Sequence, residues 1–187
     1  MSSTTIVQPK VATSTWQIDR VHSTAQFKVK HMMISNVLGE FTSIVGVLEL
    51  DENDITKSKI RAAIEADSVS TREPQRDAHL KSPDFFHVEK YPSLAFNSTS
   101  IWNAYGELKV SGELTIRGVT RTVVFDVDPP RTAQKDPWGN TRIGLSATTR
   151  INRKDFGLTW NTVLETGGFL VGDEVTISLD VQFVKER

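Results

Sequence analysis

The residues best suited to chemistry are two aspartates and two histidines that lie within eleven positions of one another. They are Asp77, His79, Asp84 and His87, and His31 could approach them from a neighbouring strand. Carboxylate oxygens and imidazole nitrogens are ligands that suit zinc. Their spacing matches none of the zinc-ligand signatures, and the polar faces of helices often carry such residues. We therefore favour surface or capping roles for them, and we predict no bound metal and no cofactor.

Motifs of other catalytic classes are missing from the chain. It has no Gly-x-Ser-x-Gly elbow, no phosphate loop and no His-Glu-x-x-His motif. The glycine-rich run 166–168, followed by Gly172, lacks the lysine of a phosphate loop, and it predicts a loop or bulge before the last strand. His22 and His31 lie on or beside strand patterns, where a hydrogen-bonded core histidine is favoured over a catalytic one. We predict no catalytic residue and a protein that is not an enzyme.

The bulk composition excludes several further classes of protein. The chain has 187 residues, with 22 basic and 23 acidic side chains and a net charge of −1, so nothing attracts a nucleic acid. It contains no cysteine, which excludes disulfides and thiolate chemistry. No segment is apolar enough for a membrane span, and residues 1–15 lack the pattern of a signal peptide. We expect a cytoplasmic protein with a flexible tail over residues 1–15 and one domain over residues 16–187.

Alternation of apolar and polar residues dominates the rest of the chain. In the segment 175–183, for example, Val175, Ile177, Leu179, Val181 and Phe183 alternate with polar residues. Similar runs cover residues 25–31, 59–66, 108–117 and 123–128. Successive side chains of a strand point to opposite faces, so each run has one buried and one solvated face, which is typical of antiparallel sheet.

Turn signals separate these runs and define the strand count. Residues 117–120 predict a hairpin turn, the prolines at 129 and 130 end a strand, and residues 136–140 form a turn before a strand at 141–151. We count about eight strands, several of them long, and a sheet of that kind commonly closes into a barrel because closure removes its exposed edges. The predicted fold is an all-β, antiparallel barrel of about eight strands.

One stretch breaks the alternation. Residues 71–81 predict a helix with Pro74 near its start, and residues 82–92 predict a second short helix with Ser82 as N-cap and Pro83 at its first position. Two short helices in a β chain would cap one mouth of the barrel.

The interior of such a barrel is either packed solid or holds one slender ligand. Composition alone favours a solid core. Against it, phenylalanines recur at inward positions, and Ala62, Ala66 and Gly112 are small residues on the same faces, which would leave room. Phe85 and Trp160 are further candidates for inward positions.

A series of motifs decides between these alternatives. They occupy residues 16–23, 27–39, 41, 67–71, 76–86, 91–92, 96, 112–120, 152–158 and 172–175. In this order they resemble the YceI-like family of lipocalin-like barrels, and the resemblance covers essentially residues 16–184. His87 departs from the pattern, because relatives often carry an aspartate there.

The resemblance implies that the barrel encloses a polyisoprenoid chain, such as an isoprenoid quinone or a polyprenyl phosphate, or another long-chain amphiphile. It also implies a homodimer in at least some members. We expect binding, transport or storage of such a lipid, with a tunnel lined by Phe27, Val29, Phe41, Ile64, Phe96, Leu108, Val110, Leu114, Phe125 and Phe156. The expected polar contacts at the mouth are His31, Arg76, His79 and Arg153.

Two alternatives stay open at this point. The protein could be an enzyme acting on an isoprenoid substrate, with His31, Asp77, His79 or His87 as acid, base or metal ligand. It could also be a ligand-free structural or stress protein whose barrel is filled by its own side chains. An internal cavity would exclude the filled barrel.

Overall fold

The computed structural model describes residues 12–129 and 132–187. Its strands are β1 Thr13–Ile18, β2 Thr24–His31, β3 Ser35–Phe41, β4 Ile44–Asp51, β5 Lys59–Glu65, β6 Val69–Ser70, β7 Ser93–Ala104, β8 Glu107–Ile116, β9 Val119–Val127, β10 Gln134–Lys135, β11 Thr141–Asn152 and β12 Val171–Lys185. One α-helix, α1, covers Pro74–Lys81, and 3-10 turns cover Arg20–His22, Ile55–Lys57, Ala66–Ser68 and Arg153–Phe156. Within the described ranges, no helix has both the length and the apolar character needed to cross a membrane.

Eight of the strands close on one another. Their order around the ring is β11, β9, β8, β7, β5, β4, β1 and β12, and the pairing of β12 with β11 closes it. All neighbouring strands are antiparallel. Strands β2, β3 and β6 extend from the first half of β12, and β10 lies beside β11. The structure confirms the all-β, eight-stranded antiparallel barrel.

The alternating residues lie on the faces that the sequence predicts. The side chains of Val175, Ile177, Leu179, Val181 and Phe183 on β12 all line the interior. The hairpin turn between β8 and β9 is confirmed at Arg117 and Gly118, whose φ angles of 49° and 72° fit a type I′ turn. Gly167 and Gly168 form a turn, and the register of β12 shifts between Val171 and Val175, as expected for a loop and bulge.

The helical prediction is half right. Helix α1 carries Pro74 at its start, and the Glu73 side chain caps it by accepting from the amides of Gln75 and Arg76. The second predicted helix, over residues 82–92, is wrong, since this segment is a run of turns. Ser82 is the C-cap of α1, with extended backbone angles, and is not an N-cap.

The reason for this difference is local hydrogen bonding at the end of α1. The amide of Phe86 donates to the carbonyl of Leu80 at 2.9 Å, and that of Val88 donates to Lys81 at 3.1 Å. These contacts fold the chain back over the end of the helix, because they use its last free carbonyls. The fold-back brings Phe85 and Phe86 against the main hydrophobic cluster.

The N-terminal boundary of the barrel lies inside the predicted tail. Strand β1 begins at Thr13 and pairs with both β4 and β12. Trp16, next to this start, is buried in a cluster with Ile44, Val181 and Phe183. The rest of the tail prediction, over residues 1–11, lies outside the described residues.

An ionic network spans the seam where the barrel closes. Arg142, at the start of β11, contacts the carboxylates of Asp19 and Asp136 and donates to Gln182 Oε1 at 2.8 Å. The bond to Asp136 measures 2.7 Å. The hydrogen bond from Arg142 is the main cause that lowers the pKa of Asp19 to about 2, and the same arginine holds the pKa of Asp136 well below its usual range.

This network predicts a stability loss in acid. A carboxyl with a lowered pKa stabilises the fold above its unfolded pKa of about 4 and loses that contribution as the pH falls through its folded pKa. For Asp19 alone we expect the free energy of unfolding to fall by about 2 kcal/mol between pH ~4 and pH ~2. Urea unfolding measured across this range checks the expectation. In the variant Asp19→Asn the slope should be smaller, and an unchanged slope would contradict the assignment.

Candidate functional site

The barrel is hollow. It contains a cavity of about 510 Å³, which is lined by the sheet and by helix α1. Apolar side chains from the barrel strands and from β2 and β3 form almost the whole wall. Most polar residues of the wall lie on α1 or just before it and at the end of β2, and we call this part of the wall the mouth: Lys30, His31, Glu73, Gln75, Arg76 and His79. The prediction from composition alone, a solid core, is therefore wrong.

Most of the predicted tunnel residues line this cavity. Eight of the ten are in its wall: Phe27, Val29, Phe41, Ile64, Phe96, Val110, Leu114 and Phe125. Leu108 and Phe156 lie outside it. Leu108 packs with Ile101 and Val127, and Phe156 is almost fully buried in the main hydrophobic cluster with Phe41 and Phe85. Both are buried hydrophobic residues, but neither belongs to the cavity wall.

The small residues make room in a different way from the one expected. The ring of Phe96 lies over Gly112, where a Cβ atom would come within 2.4 Å of its Cζ. The ring of Phe27 covers Gly39 in the same manner, at 2.2 Å. The glycines thus let two rings lie against the sheet. Ala62 lines the cavity as predicted, whereas Ala66 is fully buried outside it.

Several wall residues were missed by the sequence reasoning. Some lie on β1, β4 and β7 (Ile18, Ile44 and Leu94), and others come from α1, the turns after it, β11 and the segment before β12: Leu80, Phe86, Leu145, Ala147, Leu158 and Leu170. The alternation within residues 141–151 carried a signal for Leu145 and Ala147. Phe86, Leu158 and Leu170 lie in irregular segments, where no periodicity tells which side chains point inward, and Leu80 lies on a helix of only eight residues. Phe85 and Trp160, named as inward candidates, do line the cavity.

Arg76 provides the main positive charge at the mouth. Its Nε donates to Thr71 Oγ1 at 2.8 Å and its Nη2 to the Thr71 carbonyl at 2.9 Å. Thr71 in turn donates to Asp77 Oδ1 through both its amide and its hydroxyl. The guanidinium is therefore oriented while Nη1 finds no acceptor among the described residues. Arg76 can bind a polar or anionic headgroup at the mouth.

The two predicted histidines also lie at the mouth. His79 Nε2 is 2.9 Å from Asp84 Oδ2, and its ring makes edge contacts with Phe85 and Trp160, at 5.0 and 4.6 Å between centroids. His31 ends β2, where it pairs with Ser35 and Val171. Both histidines line the cavity. Lys30, Glu73 and Gln75 complete the polar mouth.

Arg153 lines the cavity, and its own contacts also give it a structural part that the sequence did not predict. It is 3% exposed, and its Nε and Nη1 donate to the carbonyls of Gly172, Leu158 and Trp160 at 2.6 to 2.9 Å. Its Nη2 makes longer contacts of 3.4 Å with Val171 and Asp173. Burial lowers the pKa of this guanidinium, and the charge of Asp173 opposes the shift. All five N–H groups are engaged, so the geometry assigns Arg153 to holding the segment 158–173 in place.

The candidate metal ligands do not converge. Among residues 12–129 and 132–187, no group of three or more His, Asp and Glu side chains has the geometry to hold a metal ion. Asp77 is bonded to Thr71, His79 to Asp84, and the ring of His87 contacts Tyr91 at 5.9 Å between centroids. These contacts give the helix and its turns their shape.

Comparisons with known proteins agree with this architecture. The sequence profile of the family described as "YceI-like domain" matches residues 16–183. A protein named UPF0312 from Staphylococcus aureus strain MSSA476 is 36% identical over 165 residues, which is 88% of this chain and 94% of that protein.

Solved structures show the same barrel. The YCEI protein of Campylobacter jejuni is 31% identical, with a TM-score of 0.70, over 86% of this chain and 91% of that one. BcnA of Burkholderia cenocepacia has a TM-score of 0.74 at 22% identity, over 88% and 98% of the two chains. A domain of Saccharophagus degradans described as polyisoprenoid-binding has a TM-score of 0.65 at 14% identity, over 95% and 100%. These last two similarities concern the fold alone.

Proposed function

The chain belongs to the YceI-like domain family, and we propose that it binds a long apolar lipid inside its barrel without transforming it. The observation that carries this proposal is the cavity of about 510 Å³, whose wall is almost entirely apolar and most of whose polar groups lie at the mouth. An amphiphile fits such a site, because its tail gains from leaving water while its headgroup stays hydrated.

The finer part of the proposal concerns the type of lipid. We propose a polyisoprenoid, such as an isoprenoid quinone or a polyprenyl phosphate. Support comes from the Saccharophagus domain, which shares the fold and is described as polyisoprenoid-binding. Further support comes from the wall itself, where the ring pairs Phe27–Phe41 and Phe96–Phe125 give broad contact surfaces without hydrogen bonds to select a substituted tail.

The headgroup would lie between Arg76, His79 and His31. The Nη1 group of Arg76 is available to donate hydrogen bonds, and the imidazoles of the two histidines line the same mouth. A carbonyl or a phosphate oxygen suits these donors equally well. Transport or storage, rather than catalysis, is the role that we propose, since the wall beyond the mouth supplies no acid or base. The homodimer and the cytoplasmic location stay predictions.

The proposal is tested by identifying the molecule that co-purifies with the protein. Protein purified under native conditions and extracted with organic solvent should release an amphiphile with a long apolar tail, detected by mass spectrometry in near-stoichiometric amount. Incubation at 37 °C should return the same molecule unchanged. Preparations that repeatedly contain no amphiphile, and that bind none of an added isoprenoid quinone or polyprenyl phosphate, would contradict the proposal.

The variant Arg76→Gln separates headgroup recognition from tail binding. It removes the cation but leaves the apolar wall intact. We expect a polyprenyl phosphate to bind more weakly, by roughly tenfold, since a charge-assisted hydrogen bond contributes about 1.5 kcal/mol or more. Binding of the corresponding uncharged polyprenol should change much less. Arg121→Gln, at an exposed position of β9, is the matched control.

A further inference from the structure

A group of exposed apolar side chains lies beside the mouth of the cavity. Met33, Ile34, Val163 and Phe169 are between 54% and 80% exposed, and Met32 is 41% exposed. We call these five residues the rim patch. They belong to two loops, the turn between β2 and β3 and the loop before β12.

Backbone contacts hold the two loops side by side. The amide of Met32 donates to the carbonyl of Leu170 at 2.8 Å, and His31 pairs with Val171. Val163 and Phe169 face each other across the second loop. His31, Leu170 and Val171 also line the cavity. The rim patch is therefore continuous with the apolar wall inside the barrel.

Met32 and Met33 have backbone conformations that are unfavourable for their residue type, which suggests that their side chains have a function other than stabilising the fold. Their φ angles are 52° and 62°, in the left-handed region that bulky side chains disfavour. Two other hairpin turns of the described chain have a glycine at the second position, in the pairs Tyr105–Gly106 and Arg117–Gly118. Glycine or asparagine would relieve the β2–β3 turn. Two exposed methionines at strained positions point to a use for their side chains.

We propose that the rim patch inserts into the surface of a phospholipid bilayer and brings the mouth of the barrel against the membrane. The choice of a bilayer rests on the proposed function, because an amphiphile that fills the cavity resides in membranes and enters water reluctantly. Contact between the patch and the bilayer gives the tail an apolar path from acyl chains to cavity.

Two lysines close to the rim patch fit this orientation, and the exposed Glu165 of the second loop is the opposing charge. Lys30 is exposed beside the mouth, and Lys154 Nζ lies 5.9 Å from the ring centroid of Phe169 while bonding Asp173 at 2.9 Å. Lysines next to an inserted apolar patch can extend toward lipid phosphates. A second copy of the chain fits less well, because a stable protein interface covers about 800 Å² on each partner and the patch has only five side chains.

Site-specific labels test the proposal directly. The chain has no cysteine, so Met33→Cys and Tyr105→Cys each give one site for an environment-sensitive fluorophore. Tyr105 is the matched control, because it is fully exposed and also has a positive φ. It lies in the turn between β7 and β8, outside the two loops that form the rim patch. With vesicles of phosphatidylcholine and phosphatidylglycerol, the emission at position 33 should shift to the blue and that at position 105 should not.

Binding measurements on variants complete the test. The double variant Met33→Ser with Ile34→Ser should bind these vesicles more weakly by at least roughly tenfold in a sedimentation assay, since two exposed apolar side chains are lost. Tyr105→Ser should bind as the wild type does. Equal responses at positions 33 and 105, or unchanged binding by the double variant, would overturn the proposal. A blue shift at position 33 that rises with protein concentration without vesicles would also overturn it, in favour of a second copy.

Lipid content measured by mass spectrometry on the same samples keeps the two proposals apart. If the protein contains an amphiphile but does not bind vesicles, the result contradicts only the proposal that the rim patch docks on a membrane. A protein that binds vesicles through position 33 but never contains an amphiphile contradicts the proposed function.

Discussion

Replacing Arg153 by methionine is expected to lower the free energy of unfolding by about 3 to 5 kcal/mol. The substitution keeps an apolar stem but leaves the buried carbonyls of Leu158, Trp160 and Gly172 without their donor. Each lost partner costs about 1 to 3 kcal/mol, and small domains are stable by only about 5 to 15 kcal/mol. The thermal midpoint should fall by roughly 6 to 20 °C. Urea and thermal unfolding followed by circular dichroism measure both quantities.

Two further variants make this prediction specific. Arg150→Met removes an arginine whose side chain is 72% exposed and lies 3.9 Å from Glu174, so stability should change by no more than about 0.5 kcal/mol. Arg153→Lys keeps the charge but lacks the planar fork, so most of the loss should remain. If Arg153→Met were as stable as the wild type and only bound lipid more weakly, the residue would be a headgroup ligand as the sequence predicted.

Filling the cavity with Ala62→Phe is expected to reduce the affinity for the lipid by roughly 50-fold. Ala62 lines the cavity on β5, between Gly46 on β4 and Phe96 on β7. A phenylalanine ring there would exclude about 100 Å² of tail contact, which corresponds to about 2.5 kcal/mol at 25 cal/mol per Å². Lipid content per protein, measured by mass spectrometry after purification, and titration with an isoprenoid quinone both report the change.

Its control is the neighbouring residue on the same strand. Ala63 faces the outside of the barrel, opposite Val45, which is 47% exposed. Successive residues of a strand point to opposite faces, so Ala63→Phe adds the same ring without entering the cavity. This variant should carry wild-type amounts of lipid. Both variants should remain folded, with unfolding free energies within about 1 kcal/mol of each other. Equal lipid content in the two variants would exclude the barrel interior as the binding site.

The regular strands account for most of what could be predicted about the site. Phe27, Val110 and Phe125 belong to alternating runs, and a period of two tells which of their neighbours share a face. Leu108 follows the same alternation as Val110 and packs in the same hydrophobic cluster, yet only Val110 lines the cavity. Periodicity reports the face of a residue and carries no information about its depth along the barrel. The hollow region and the filled region therefore look alike in the sequence.

Irregular segments were the main source of error. The turns over residues 82–92 contain the signals of a helix start, but the chain instead caps α1 with its own amides. That arrangement depends on Phe85 and Phe86 finding the core cluster, which is a contact between distant parts of the chain. Helix propensity over so few residues is small compared with the burial of two phenylalanines.

By itself, the sequence determined an antiparallel barrel, the helix at its mouth and the family resemblance, because alternation, turn residues and capping are encoded locally. Only the tertiary structure decided that the interior is hollow, since an empty volume is a sum over side chains from many strands. It also decided the role of Arg153, which a strand-end arginine alone does not reveal. Four carbonyls and the carboxylate of Asp173 take up its five donors, and these acceptors lie between 5 and 20 residues along the chain, in the loop after it and in β12.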